Sequence, residues 1–207
     1  MKSKAVNISQ ILKQRYPNPI TELTHSNDYE LAVAVMLSAQ TTDKKVNQVT
    51  PALFDKYPSW KGLASADLSD VWGLIKQVNF YKGKGERLIK AAQYILLNYQ
   101  GGFPQTMQQL IKIPGIARKS ANVILQEAWG ISEGIVVDTH VTRVSQRLGL
   151  TTNSDPVKIE KDLMLALPKE NWGNFSGAAV LLGRYICVAR KPKCGECPLN
   201  KICPLAF

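Results

Sequence analysis

The sequence predicts an all-α fold. Apolar residues recur at helical spacing through most of the 207 residues. The periodic segments are bracketed by capping residues and by glycine or proline stops. Only one stretch, "GIVVDTHV" (134–141), is strand-like, and it is too short to define a sheet. Hydrophobic residues make up 45% of the chain, enough to bury a proper core. No internal repeat, low-complexity segment or flexible linker interrupts it.

The elements follow in order. "NDYELAVAVMLSAQ" begins with Asn27 and Glu30 at capping spacing and continues as a nearly unbroken apolar run, the pattern of a helix buried on most sides. "TDKKVNQVTPALFDKY" and "DLSDVWGLIKQV" are amphipathic. "GERLIKAAQYILLNY" is too, and stops at Gly101-Gly102. Thr106 can cap "MQQLIK", and "RKSANVILQEAW" ends at Gly130. "THVTRVSQRLGL" follows Asp138, a natural N-cap. Asp155-Pro156 is a strong helix start, with proline at the first helical position. "FSGAAVLLGRYICVA" is the last long helix.

The formal charge is +10 and the pI about 9.5, with only 20% of residues charged. Such a basic excess attracts polyanions, of which nucleic acids are the commonest. Anionic lipid is the weaker alternative, because no basic amphipathic segment stands out. No apolar run reaches the roughly 18–20 residues that span a bilayer. The basic N-terminus "MKSKAVNISQILKQRY" lacks the apolar stretch of a signal peptide. The expected location is the cytoplasm, on the nucleoid, where thiols stay reduced.

Three constellations carry chemistry. All the cysteines lie in "CVARKPKCGECPLNKIC", as Cys187, Cys194, Cys197 and Cys203. Four thiolates this close can enclose one soft metal centre. Structural zinc usually pairs two short Cys-x-x-Cys knuckles across a longer gap, and only Cys194 and Cys197 form such a knuckle. Four cysteines from one compact loop can also hold an iron–sulfur cluster. The spacing leaves both open.

The second constellation is "IKIPGIARKSANVIL" (111–125). Pro114 stops one helix, Gly115 supplies a tight turn, and a new helix starts near Arg118. Amides at a helix N-terminus are a ready phosphate site. The segment from about 106 to 129 looks like a helix-hairpin-helix, which grips a DNA backbone without reading bases. Lys119 sits in the first turn of the second helix, beside Arg118. Both the helix dipole and that neighbour favour its neutral amine, a nucleophile. On its own, the position equally suits a surface lysine contacting phosphate.

The third is "IVVDTHVTRV", where Asp138 precedes a helix and is held ionised by the cap position. His140 reads as a packing residue.

Together, in this order, "LSAQTTD" (37–43), "IPGIARKSANV" (113–123), "VDTH" (137–140) and "GRYICVARKPKCGECPLNKIC" (183–203) resemble the endonuclease III family of DNA repair glycosylases. The resemblance covers nearly the whole chain. It implies the helix-hairpin-helix DNA glycosylase fold, two helical domains with the active-site cleft between them. A six-helix barrel would span 21–131, and 1–20 plus 132–207 would form a discontinuous domain with a structural 4Fe-4S cluster on Cys187, Cys194, Cys197 and Cys203. The implied activity is that of a bifunctional DNA glycosylase and AP lyase of base excision repair. It acts on oxidised pyrimidines or abasic sites in double-stranded DNA, as a monomer. Lys119 would be the Schiff-base nucleophile, and Asp138 would stabilise positive charge on the sugar. Gln40 would fill the gap left by the flipped nucleotide, and Phe80, in the loop "NFYKGKG" (79–85), would wedge the duplex. Backbone groups of the hairpin around Gly115, Ala117 and Arg118 would meet phosphate, with a monovalent cation held there. Arg190, Lys191 and Lys193, pinned between two cluster ligands, would form a rigid basic finger.

The chain departs from the family pattern in places. Ala117 replaces the hairpin's second glycine. Asn79-Phe80 stands where Gly-Leu is common, and Ile111 where an acidic residue is sometimes found. The adenine-specific branch of the superfamily lacks a lysine at the position of Lys119, and a thymine-mismatch relative carries tyrosine there. The alternative reading is a non-catalytic or mismatch-directed DNA-binding member.

Overall fold

Every side chain from Leu31 to Leu37 is buried in the computed structural model. They belong to α2 (Asp28–Ser38), whose N-cap Asn27 accepts the backbone N–H of Glu30 at 2.9 Å. Each large aliphatic side chain so buried contributes roughly 1.5–3 kcal/mol. The structure describes residues 2–205; the chain divides into two units, Thr21–Trp129 and a second made of the chain up to Ile20 and from Gly130 onward. Among the described residues no helix is long and apolar enough to cross a membrane.

The second unit opens with α1 (Lys2–Arg15), which buries Ala5, Ile8 and Leu12. The sequence pattern does not mark this helix clearly, because basic residues dilute its apolar face. Within the first unit, α2 packs on α3 (Asp43–Lys56). A short α4 (Trp60–Ala64), capped by Ser59, and α5 (Leu68–Ile75), capped by Asp67, both pack on α6 (Tyr81–Tyr99). α7 (Met107–Leu110), capped by Thr106, leads through the hairpin to α8 (Arg118–Trp129), which packs on α2. Back in the second unit, α9 (Thr139–Arg147) and α1 pack on α11 (Trp172–Tyr185), and α10 (Pro156–Ala166) packs on α1. Single-turn helices at Cys194–Glu196 and Asn200–Ile202 shape the cysteine loop.

Two expectations are corrected. The strand-like run 134–141 is not a strand, and none occurs among the described residues. Its apolar side chains Ile135 and Val137 enter the core of the second unit, and the Val136 N–H donates to Ser176 Oγ at 2.9 Å instead of to a neighbouring strand. The stretch 79–85 is not all loop either, since α6 begins at Tyr81. The glycines that make this stretch look irregular are helical. A Cβ on Gly85 would come within 2.8 Å of Trp72 Cδ1, so the glycine permits close packing of α5 on α6. Trp72 Nε1 also donates to the Lys82 carbonyl at 2.9 Å.

Candidate nucleic-acid interface and metal centre

The hairpin turns at Pro114-Gly115, where the Ile116 N–H donates to the Ile113 carbonyl at 3.1 Å. Gly115 has φ +86°, as the third position of a type II turn requires. A Cβ there would also approach Met36 Cε to 2.8 Å. Ile113 and Ile116 are buried on either side and anchor the turn to the core. Ala117 then opens α8, its carbonyl accepting the N–H of Ala121 at 2.9 Å. It is not among the residues with positive φ, so alanine replaces the family's glycine there without backbone strain. Ala117, Arg118 and Lys119 are all exposed. The hairpin therefore displays a lysine amine and an arginine beside the N-terminal amides of a helix, a setting that receives anions.

In the second unit, Asp138 is half-buried and caps α9. Its Oδ1 accepts the backbone N–H groups of His140 and Val141, both at 2.8 Å. The carboxylate is thus oriented by two fixed donors. His140 packs as expected of a half-buried residue, with Arg143 Nη2 3.2 Å from its Nδ1.

Cys187, Cys194, Cys197 and Cys203 are all unpaired, half-buried thiols that line one cavity, with Leu182 and Ile186 among its apolar walls. Burial pushes the Cys197 thiol up, and the nearby Cys187, Cys203 and Cys194 add to this, while a backbone hydrogen bond at Leu199 opposes it. Four thiolates crowded against an apolar wall need a compensating cation. Among the described residues no three of His, Cys, Asp or Glu converge tightly enough to hold a single metal ion. Four half-buried thiols around one cavity are a donor set for a soft metal centre.

Two arginines of α9, missed by the sequence reading, hold this region. Arg143 Nε donates to the Cys187 carbonyl at 2.9 Å, and its Nη2 to the Gly183 carbonyl at 2.6 Å. Arg147 Nη1 donates to the Val188 carbonyl at 2.8 Å and lies 3.3 Å from Cys187 Sγ; its Nη2 donates to the Ala189 carbonyl at 2.9 Å. The Lys193 N–H closes the loop onto the Ile186 carbonyl at 2.9 Å. Arg190, Lys191 and Lys193 lie on this tethered loop, all three exposed, and Lys191 takes the left-handed region at φ +53°. The available signal was the i, i+4 spacing of Arg143 and Arg147, which puts both guanidiniums on one helix face.

Gln40 and Phe80 are exposed, and both take left-handed backbone conformations, at φ +54° and +58°. Phe80 is 68% exposed, an unusual setting for a large aromatic ring. The Asn79 side-chain amide donates to the Gln40 carbonyl, and the Asn79 N–H donates to Thr41 Oγ1 at 3.2 Å. Ile111, the C-cap of α7, is about half exposed.

Residues 33–169 match the model of the HhH-GPD superfamily of base excision DNA repair proteins, and residues 187–206 match the iron–sulfur binding domain of endonuclease III. With that match, the four cysteines fit a structural 4Fe-4S cluster. The chain is 46% identical over 205 residues to endonuclease III of Synechocystis, covering 99% of this chain and 94% of that protein. It is 42% identical over 189 residues to the Bacillus subtilis endonuclease III, covering 91% and 86%. A solved structure of a trapped endonuclease III–DNA covalent intermediate superposes with a TM-score of 0.91 at 36% identity, covering 99% of this chain and 96% of that one. A thermostable thymine-DNA glycosylase, 19% identical, shares the fold with a TM-score of 0.86 over 98% and 96% of the two chains. The hairpin, the capped Asp138, the cysteine cavity and these likenesses lead to one assignment: the chain belongs to the endonuclease III family, within the HhH-GPD superfamily of base excision DNA repair proteins.

Proposed function

We propose that the protein is a bifunctional DNA glycosylase and AP lyase of base excision repair, removing oxidised pyrimidines from duplex DNA through a Schiff base on Lys119. The observation that carries this reading is the exposed Lys119 amine in the first turn after the hairpin, in a chain so similar to one solved as a trapped covalent intermediate with DNA. The basic net charge of +10 supports the polyanionic partner.

The target sugar is unreachable inside a duplex, so the damaged nucleotide is turned out of the stack. Lys119 Nζ, as a neutral amine, bonds to C1′ while the glycosidic bond breaks and the base leaves with the electron pair. Loss of the amine proton and opening of the C1′–O4′ bond give the Schiff base. Removal of a C2′ proton then expels the 3′ phosphate oxygen and breaks the C3′–O bond, so the strand is nicked 3′ to the lesion. Water hydrolyses the imine and restores Lys119. Asp138, held by its two amide donors, stabilises positive charge developing on the sugar and assists deprotonation of the amine.

Gln40 fills the gap left by the flipped nucleotide, and Phe80 wedges between bases. Gly115, Ala117 and Arg118 contact the phosphate backbone, and Arg190, Lys191 and Lys193 extend that contact. Cys187, Cys194, Cys197 and Cys203 hold the 4Fe-4S cluster, which supplies a rigid scaffold for the basic loop. The protein acts as a monomer on the nucleoid. A cleavage panel of duplexes with thymine glycol, dihydrouracil, oxidised cytosine and abasic sites tests the reading. Incision at the oxidised pyrimidines is expected; binding without incision on the whole panel would mark a non-catalytic or mismatch-directed member.

A further inference from the structure

Lys84 is 5% exposed, although it lies in the first turn of α6. A cation is disfavoured at its own helix N-terminus, yet its ammonium reaches the C-terminal end of a different helix. There Nζ donates to the Leu37 carbonyl at 2.7 Å, the Ala39 carbonyl at 2.7 Å and Thr41 Oγ1 at 2.9 Å. All three ammonium protons are used, and the partners bracket Gln40. The Lys84 backbone N–H meanwhile donates to the Phe80 carbonyl at 3.1 Å. A second tie runs parallel to the first. Thr41 Oγ1 also accepts the Asn79 N–H, and the Asn79 side chain donates to the Gln40 carbonyl.

These bonds surround two non-glycine residues in left-handed conformations, Gln40 and Phe80. Such a conformation costs about 1–3 kcal/mol and persists only where the surroundings over-determine it. Both strained residues are exposed, so no packing of their own side chains enforces it. Gln40 is the third residue of a turn closed by the Thr41 N–H on the Ser38 carbonyl at 3.0 Å, and the ties from Lys84 and Asn79 brace that turn and the Phe80 backbone together. Asn79 is also where this chain departs from the Gly-Leu common in the family, and the departure adds the amide tie to Gln40.

We infer that Lys84, Thr41 and Asn79 form a polar clasp of positioning residues that locks the Gln40 and Phe80 loops into one rigid unit for entry into the DNA stack. The inference rests on the proposed insertion roles of Gln40 and Phe80. None of the three clasp residues needs to touch the reacting sugar. The clasp lowers the ordering cost that two separate loops would otherwise meet on binding. The clasp holds both backbones in their left-handed conformations, so both side chains are presented before DNA arrives.

A double-mutant cycle tests this by single-turnover excision of a thymine glycol, with the unstacking of a 2-aminopurine beside the lesion as a spectroscopic signal. The variants are Asn79→Ala and Lys84→Met, each made in the wild-type chain and in a Gln40→Ala/Phe80→Ala chain. Asn79 is exposed, so its variant remains informative if Lys84→Met does not fold. In the wild-type chain each clasp variant is expected to slow excision and unstacking about five- to tenfold, and in the Gln40→Ala/Phe80→Ala chain less than about twofold. Lys84→Arg is expected to recover part of the loss. Equal losses of Asn79→Ala in both backgrounds would overturn the clasp and leave the insertion roles standing. Full activity of the Gln40→Ala/Phe80→Ala chain would instead remove the insertion reading and the clasp with it.

Discussion

Asp138 Oδ1 accepts the backbone N–H of Val141 at 2.8 Å, and that of His140 at the same distance. The residue is therefore a structural cap and a candidate electrostatic catalyst at once. The two roles separate on substitution, because asparagine caps helices as well as aspartate does. Asp138→Asn should keep its melting temperature within a few degrees and lose turnover by about a hundredfold, as removal of one preorganised electrostatic group does. Asp138→Ala should additionally lose about 1 kcal/mol of stability with the cap. Thermal melts and single-turnover rates on the same preparations check both. Wild-type turnover in Asp138→Asn would remove the carboxylate from the mechanism.

The loop carrying Arg190, Lys191 and Lys193 is tethered by Arg147 through the Val188 and Ala189 carbonyls. Replacing the three basic residues with glutamine should weaken DNA binding uniformly across sequences. It should also reduce the slope of log K against log salt by about 0.9 for each phosphate that is no longer neutralised. The brown colour of the cluster should be unchanged. A titration of affinity over a range of salt concentrations, beside a visible spectrum, measures both.

Much of this architecture was legible in the sequence, for identifiable reasons. Asn27, Thr106, Asp138 and Asp155 all cap the helices they precede, since capping is local chemistry. The hairpin was legible because proline fixes φ and stops a helix, and glycine opens the left-handed region a tight turn needs, regardless of context. The run 134–141 misled because β-branched residues enter a helical core as readily as a sheet. Lys84 was invisible: burying its ammonium depends on carbonyls more than forty residues away in sequence. The pairing of Asn79 with Gln40 is hidden in the same way, and Arg147 could be placed on a helix face but not aimed at Cys187.

Removing a cysteine should damage one unit selectively. Cys197 lies in the cavity with the other three thiols, and metal binding couples to folding where a site cannot pre-form. Cys197→Ser should lose visible absorbance and expose the core that contains Leu199 and Ile186 to proteolysis. A colourless protein with stoichiometric zinc and intact folding would contradict the cluster. Iron and sulfide analysis together with limited proteolysis decides it.

Lys84 predicts a pH dependence. Burial, and then Arg87, push its pKa down from 10.5 to about 8. Between these values the unfolded chain holds a proton that the folded protein has released, so this group's contribution to stability rises with pH across the window. Below about pH 8 both states are protonated and the contribution is level. The stability difference between wild type and Lys84→Met, from urea melts, should therefore be constant from about pH 6 to 7.5 and shift in favour of wild type towards about pH 10. A difference that moves in the opposite direction would contradict the burial of an easily deprotonated amine.

The proposed Schiff-base mechanism turns on Lys119. Incubating the protein with abasic or thymine-glycol duplex and borohydride should reduce the imine and leave a covalent protein–DNA band. The trapped peptide should carry the sugar on Lys119, and Lys119→Gln should give no band while keeping its fold and its affinity for DNA. A folded, DNA-binding wild-type protein that never traps, or a band that persists in Lys119→Gln, would contradict the Schiff-base mechanism.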